Sequence, residues 1–240
     1  MYDLIAEQYS QLFPPDQRRA GFIADELPAQ ANRILDAGCA TGDLSFELAT
    51  LGYGVTGIDY NEAMVKIAAE RAGNGSLAPA FLHRNMLSID DLGKFDGIVC
   101  FGNTLPHLLC EEDVLSFMIT AGRILNPGGR LIIQIINFNV MSGRPIFDFP
   151  VIETDTTVFN RRYEIADDGF INFMITTVDK TSGMKNSGSV KLLPLFRDRM
   201  LKLLKAAGFR DITVYKDYDR NLSDESEFAS VFSAYGGSVF

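Results

Sequence analysis

Histidine and cysteine are scarce in this chain of 240 residues, with two of the first and three of the second. Cys39, Cys100 and Cys110 show no C-x-x-C spacing, and two histidines cannot complete a zinc pattern, so no metal site is expected. An odd, sparse cysteine set argues against a disulfide framework and reads as reduced and intracellular. Long apolar runs are also missing: Leu131–Ile136 is interrupted by Gln134, well short of the roughly 18 residues a membrane span needs. The amino terminus, MYDLIAEQYSQLF, carries Asp3 and Glu7 and lacks the basic and apolar regions of a secretory signal. Positive charge is in deficit, with 22 Lys and Arg against 31 Asp and Glu, a net −9. Nucleic-acid binding relies on clustered basic side chains that neutralise phosphates, so that class loses ground. These absences leave the expectation of a soluble, cytoplasmic protein with neither a membrane nor a nucleic acid as partner.

What is present suits a globular enzyme. Hydrophobic residues make up 47% of the chain and charged ones 22%, and the length fits one α/β domain with a small insertion. Residues 2–30 read as two short helices broken at Pro14-Pro15, with Asp16 placed to cap the second. Short apolar runs then alternate with helical patterns. Strand RILDA ends at Asp36, GVTGID ends at Asp59, and AFLHR, FDGIVCF and GRLIIQIIN follow; helices fall at about 43–51, 61–71 and 111–125. This alternation predicts an α/β fold, a doubly wound, mostly parallel sheet. Asn126-Pro127-Gly128-Gly129 is expected to stop a helix and reverse the chain before the fifth strand.

After Phe138 the period changes. Residues 156–166, 170–179 and 188–193 read as strands separated by Asp167-Asp168-Gly169 and Thr181-Ser182-Gly183, an inserted antiparallel β-meander. A helix at about 196–207 and the strands DITVYKDY and FASVFSAY return to the α/β frame. The expected division is a core of residues 1–138 and 195–240 with an insert of 139–194. The insert would serve as a substrate lid or as a dimer element, since an exposed meander edge can pair with a second copy.

Chemistry first shows after Asp36. Small residues between a strand and a helix let backbone N–H groups face a ligand, and the helix amino terminus adds its dipole; a plain tight turn looks much the same. The spacing here is Gly38-x-x-x-Gly42. Ala40 and Asp43 stand where a dinucleotide fingerprint beginning at Gly38 needs its second and third glycines, and Asp43 would repel a pyrophosphate. A cofactor with no phosphate, carrying a sulfonium and an amino-acid tail, fits better. Asp59, at the end of the second strand, suits two ribose hydroxyls or else caps the following helix. Asn85 and Met86 suit an adenine, the amide on its edge and the thioether on its face.

Residues 33–137 resemble the class I S-adenosylmethionine-dependent methyltransferases. DAGCATG is similar to their first motif, usually D-x-G-x-G-x-G, with Ala40 replacing the middle glycine. VTGIDYNEAMVKIA resembles the second motif, FDGIVCFGNTLPHL the fourth, and RILNPGGRLII the turn and strand that follow. The resemblance implies a Rossmann-like methyltransferase fold with S-adenosylmethionine as cofactor. It implies Gly38 and Cys39 at the amino-acid moiety, Asp59 at the ribose and Asn85 with Met86 at the adenine, with Asp36, Ala40, Tyr60 and Met64 in the same cofactor set.

CFGNTLPHLL resembles the GNS-x-x-HL stretch of glycine N-methyltransferases and their relatives. By that resemblance the Phe101 carbonyl, Gly102 and the Asn103 side chain bind the cofactor's ammonium, and Asn103 orients the nucleophile. His107 is either a base or substrate contact, or a structural hydrogen-bonding residue. Tyr2 and Tyr9 lie in a stretch similar to the YDxIAxxYD amino terminus of the superfamily, where tyrosine faces suit a sulfonium; packing of an amphipathic helix is the competing account. Arg18 or Arg19 is expected at the cofactor carboxylate. In glycine N-methyltransferases an arginine in HRNYD grips the substrate carboxylate, and Ile136 stands in its place here. Glycine is therefore not the expected acceptor, and Arg161 or Arg162 is a candidate replacement. The expected activity is methyl transfer to a small molecule, with His107, Asn103 and Tyr9 as catalytic candidates. An amine ranks ahead of a hydroxyl because a neutral amine needs no strong base. A non-catalytic protein that binds the cofactor is the third possibility.

Overall fold

The computed structural model describes residues 1–73, 75, 78–141 and 143–236. The chain opens with two 3-10 turns, Tyr2–Leu4 and Ala6–Gln8, one helical turn α1 (Tyr9–Leu12) and helix α2 (Arg18–Glu26). Pro14 and Pro15 separate the two helices, and the Asp16 carboxylate accepts the Arg18 N–H at 3.0 Å, acting at the helix start as its position suggests.

Five strands then run parallel: β1 (Arg33–Ala37), β2 (Gly54–Asp59), β3 (Ala80–His83), β4 (Phe95–Cys100) and β5 (Leu125–Ile136). Helices α3 (Asp43–Thr50), α4 (Glu62–Ala72) and α5 (Glu111–Ile124) connect them. Ile34, Leu35, Ile98, Val99, Ile132 and Ile133 are wholly buried. Strands covered by helices on both faces read as continuous apolar runs, which is why these segments stand out without alternation. After the meander, α6 (Arg197–Ala206), β11 (Arg210–Tyr215) and β12 (Ala229–Tyr235) complete the frame.

The sheet order is β11-β12-β5-β4-β1-β2-β3, with β12 antiparallel to both of its neighbours. Winding runs outward from β1 through β2 to β3, then returns to lay β4 on the other side of β1. Loops leaving β1 and β4 therefore diverge and open a crevice at their carboxyl ends.

Three further strands form the expected meander: β8 (Thr157–Ile165), β9 (Ile171–Asp179) and β10 (Lys185–Leu192). Two very short strands precede them, β6 (Ile146–Asp148) and β7 (Ile152–Glu153), both paired with β8. Segments this short beside Pro145 and Pro150 leave no periodic trace in a sequence. One expectation changes: Asn126–Gly129 does not turn the chain ahead of β5. The segment forms an irregularity inside it, where pairing jumps from Phe95–Leu125 to Gly97–Arg130 and Gly128 takes φ +81°.

Among the described residues, no helix is long and apolar enough to cross a membrane. At the end of the sheet remote from the crevice, the buried Glu26 of α2 takes hydrogen bonds from Arg130 (3.0 Å), Ser233 (2.6 Å) and Tyr215 (3.0 Å), tying the helix to three strands.

Candidate active site

The crevice between β1 and β4 opens into a cavity of about 770 Å³. One half is built from the loop after β1. Gly38 and Cys39 both donate their N–H groups to the Ile58 carbonyl, at 2.8 and 2.9 Å. Ala40, in the left-handed region at φ +48°, donates its N–H to the Asp59 carboxylate at 2.9 Å, and Gly42 donates to the Cys39 carbonyl at 2.9 Å. A phosphate-binding loop leaves such donors free for its ligand, whereas here they are spent inside the protein. What faces the cavity beside them is the Asp36 carboxylate, buried and held by the Ser45 hydroxyl at 2.7 Å. Burial pushes Asp36 up to about 6. This lining suits a positively charged group and is wrong for a pyrophosphate.

Gly38 could not carry a side chain: it has φ +85°, and a Cβ would lie 2.2 Å from the Thr104 methyl. That contact brings the loop after β1 against the loop after β4. In the second loop, Asn103 adopts φ +60° and is buried. Its Oδ1 accepts the Ile136 N–H at 2.9 Å and its Nδ2 donates to the Tyr163 hydroxyl at 3.2 Å. Asn103 thus joins β4, β5 and the meander through one amide, and retains one donor and one acceptor position for a ligand. The Phe101 carbonyl accepts the Thr104 hydroxyl at 2.7 Å, and the Gly102 N–H is held by Gln134 at 2.8 Å.

The amino-terminal segment covers this junction. Tyr2 and Tyr9 both line the cavity, and Ser10 ties the segment to the loop after β1 through a 3.1 Å hydrogen bond with Thr41. Tyr2 and His107 share a hydrogen bond of 3.0 Å between the phenol oxygen and Nε2. Burial pushes His107 down to about 4, so the ring is neutral at physiological pH, and burial raises the Tyr2 and Tyr9 phenols. The far half of the cavity is aromatic and apolar, with Phe13, Phe147, Phe149, Tyr163, Phe173 and Phe228 drawn from the amino terminus, the meander and the start of β12.

Most of the residues singled out from the sequence meet at this cavity. Tyr2, Tyr9, Arg19, Asp36, Gly38, Cys39, Ala40, Phe101, Gly102, Asn103, His107, Ile136 and Arg161 all line it. Others stand apart. Asp59 lies behind the loop, where it receives the Ala40 and Asn61 N–H groups, while the side chain that caps α4 is Asn61, accepting Met64 N–H at 2.9 Å. Tyr60 is 76% exposed, whereas Met64 is 2% exposed on the inner face of α4 with Val65 and Ala68. Asn85 is exposed and turns its side chain back to the Leu87 N–H at 2.9 Å; Met86 is half-buried against the main core. Arg19 reaches the cavity but is paired with Glu47 at 2.9 Å, Arg18 is paired outside with Asp16 and Asp219, and Arg162 with Asp148. Sequence reading missed Gln134 and Thr104 as site residues. A glutamine inside an otherwise apolar, doubly covered strand was a usable signal for the first. Among the described residues, no cluster of three His, Cys, Asp or Glu side chains could hold a metal ion.

A reversed-winding α/β sheet with a phosphate-averse loop at its switch point is a Rossmann-like arrangement, the fold that solved S-adenosylmethionine-dependent methyltransferases share. Residues 34–129 match the model of the methyltransferase domain family. The chain is 33% identical over 138 residues to a putative methyltransferase, YqeM, of Bacillus subtilis (strain 168), covering 56% of this chain and 55% of that one. It thus spans about half the length of that relative. Similarity to a glycine/sarcosine N-methyltransferase of Aphanothece halophytica is 26% over 201 residues, covering 82% of this chain and 74% of that one. A crystal structure of an S-adenosylmethionine-dependent methyltransferase from Clostridium acetobutylicum ATCC 824 shares the fold, with a TM-score of 0.84 at 17% identity over 99% of both chains.

Proposed function

We propose that this protein transfers a methyl group from S-adenosylmethionine to a small-molecule amine, the cofactor lying along the loop after β1 and the acceptor in the aromatic half. The observation that carries this reading is the continuity of one cavity from Asp36 and Gly38 to the meander, with Asn103 at the junction. The cofactor's cationic amino-acid end suits Asp36 and the neighbouring carbonyls, and Tyr2 and Tyr9 offer electron-rich rings to a sulfonium. When bound, the cofactor supplies an activated methyl: a nitrogen–carbon bond forms as the carbon–sulfur bond breaks, S-adenosylhomocysteine leaves, and the nitrogen's proton passes to solvent.

The chain's own residues supply position and dryness. Asn103 presents its remaining amide positions to the acceptor, the amino-terminal segment closes over the junction, and the aromatic walls exclude water. No strong base is needed for a neutral amine, and the uncharged Tyr2–His107 pair fits that demand. The same pair favours a hydroxyl acceptor as the second reading, since a neutral imidazole can take a proton. Residues 139–194 act in this proposal as the acceptor lid on a core of 1–138 and 195–240. The net charge of −9 supports a small molecule over a nucleic acid, and three free cysteines suit a reducing cytoplasm.

Release of S-adenosylhomocysteine with amine and hydroxyl panels tests the proposal. Turnover with amines and a kcat that shows no inflection near pH 6.5 from His107 is the expected result. Tight S-adenosylhomocysteine binding without turnover on either panel would leave a binding protein instead.

A further inference from the structure

Methyl transfer gives no role to one side chain of the acceptor half. Arg161 lines the cavity from β8, and its Nε is buried with no hydrogen-bond partner. Its Nη2 reaches only the Pro150 carbonyl, at 3.3 Å. Among the described residues Arg161 forms no ion pair, although the next residue, Arg162, pairs with Asp148 at 2.6 Å. The other arginine on the cavity wall, Arg19, is neutralised by Glu47. The rings of Phe13, Phe149 and Phe159 lie 5.5, 5.0 and 5.7 Å from the Arg161 guanidinium carbon. Aromatic rings at these distances attract the charge of a guanidinium and help to hold it in place. They do not engage its in-plane N–H donors, the fork that matches a carboxylate or phosphate, of which Nε has no partner and Nη2 only the Pro150 carbonyl.

Arg161 is two residues from Tyr163 on the same strand, so the two side chains share a face roughly 7 Å apart. The Tyr163 hydroxyl meets Asn103, where the cofactor half begins. A ligand that bridges these points needs an apolar middle, because Phe149 packs edge-on against Tyr163 with ring centroids 4.8 Å apart.

We propose that the methyl acceptor carries an anionic group, a carboxylate or a phosphate, that docks on Arg161, with an apolar or aromatic body between that group and the reacting nitrogen. This rests on the methyl-transfer reading of the cavity and specifies its substrate class.

Phenylpropanoate, phenylethyl phosphate and phenylpropanol, titrated into protein saturated with S-adenosylhomocysteine, test the proposal. One of the anions should bind at least roughly tenfold more tightly than the alcohol, as expected for a charge-assisted hydrogen bond. Which anion wins separates carboxylate from phosphate. Arg161→Leu should erase the preference and Arg161→Lys should keep part of it, while both variants bind S-adenosylhomocysteine like the wild type, which also reports that they are folded. Equal binding of the three probes, no binding of either anion at millimolar concentration, or a preference that survives Arg161→Leu would overturn the proposal. Failure of the wild type to bind S-adenosylhomocysteine would overturn the methyl-transfer reading itself.

Discussion

The two halves of the cavity are made in different ways. The cofactor half comes from contiguous segments: a strand, a five-residue loop and a helix, with Asp59 on the neighbouring strand holding the loop from behind. The acceptor half is assembled from side chains as far apart as Phe13, Phe149, Tyr163 and Phe228. Local construction ties the first half together by short-range hydrogen bonds, among them Ala40 N–H to Asp59 and Gly42 N–H to the Cys39 carbonyl. In the proposed reading, dispersed construction lets the second half change its acceptor without touching the donor site, as one fold serves many substrates.

The separation predicts that the effect of a substitution falls on one side of it. Gly38→Ala forces a side chain into the left-handed region and against Thr104. Strain of about 1–3 kcal/mol is expected there, and the loop must shift to relieve it, so S-adenosylhomocysteine should bind measurably more weakly by calorimetry. Wild-type affinity in that variant would break the picture of a tightly built donor half.

Asp36 offers a test by pH. Its folded value of about 6 lies above the ordinary 3.8, because burial penalises the charged form. Between those values the unfolded chain ionises first, so this group withdraws stability as pH rises from about 4 to 6 and nothing more beyond. Asp36→Asn should remove that loss, worth about 1–3 kcal/mol, from denaturation curves of the ligand-free protein. Parallel slopes in the two proteins would show that the carboxylate is solvated.

The smallest effect is expected at the junction. Tyr163→Phe deletes the hydroxyl that meets the Asn103 amide, a hydrogen bond worth about 1 kcal/mol. Once an acceptor is in hand, kcat/KM should fall roughly fivefold while S-adenosylhomocysteine affinity stays unchanged. A shift in that affinity would mean that the halves are coupled through Asn103.

The same contrast explains what could be read in advance. β2 ends at Asp59 and α5 begins at Glu111, as their patterns indicate, because strand and helix periods are local properties. Met64, expected in the cofactor set, lies buried with Val65 and Ala68 on the inner face of α4, a distinction that helix period alone does not draw. The pairing of Arg19 with Glu47 was not legible, nor was the return of Asn85 to its own loop, because neither partner is marked by spacing. Strands β6 and β7 escaped notice for want of length.

By itself the sequence determined the α/β alternation, the winding of the sheet and a β1 loop unsuited to phosphate. All of these follow from neighbours along the chain, where period, glycine placement and a misplaced Asp43 act over a few residues. Only the tertiary structure decided that the loop's N–H groups are consumed by Ile58 and Asp59, that the amino-terminal tyrosines reach His107, and that Arg161 stands unpaired among aromatic rings. Those outcomes depend on which distant side chains packing brings together, and burial rather than sequence spacing sets their chemistry.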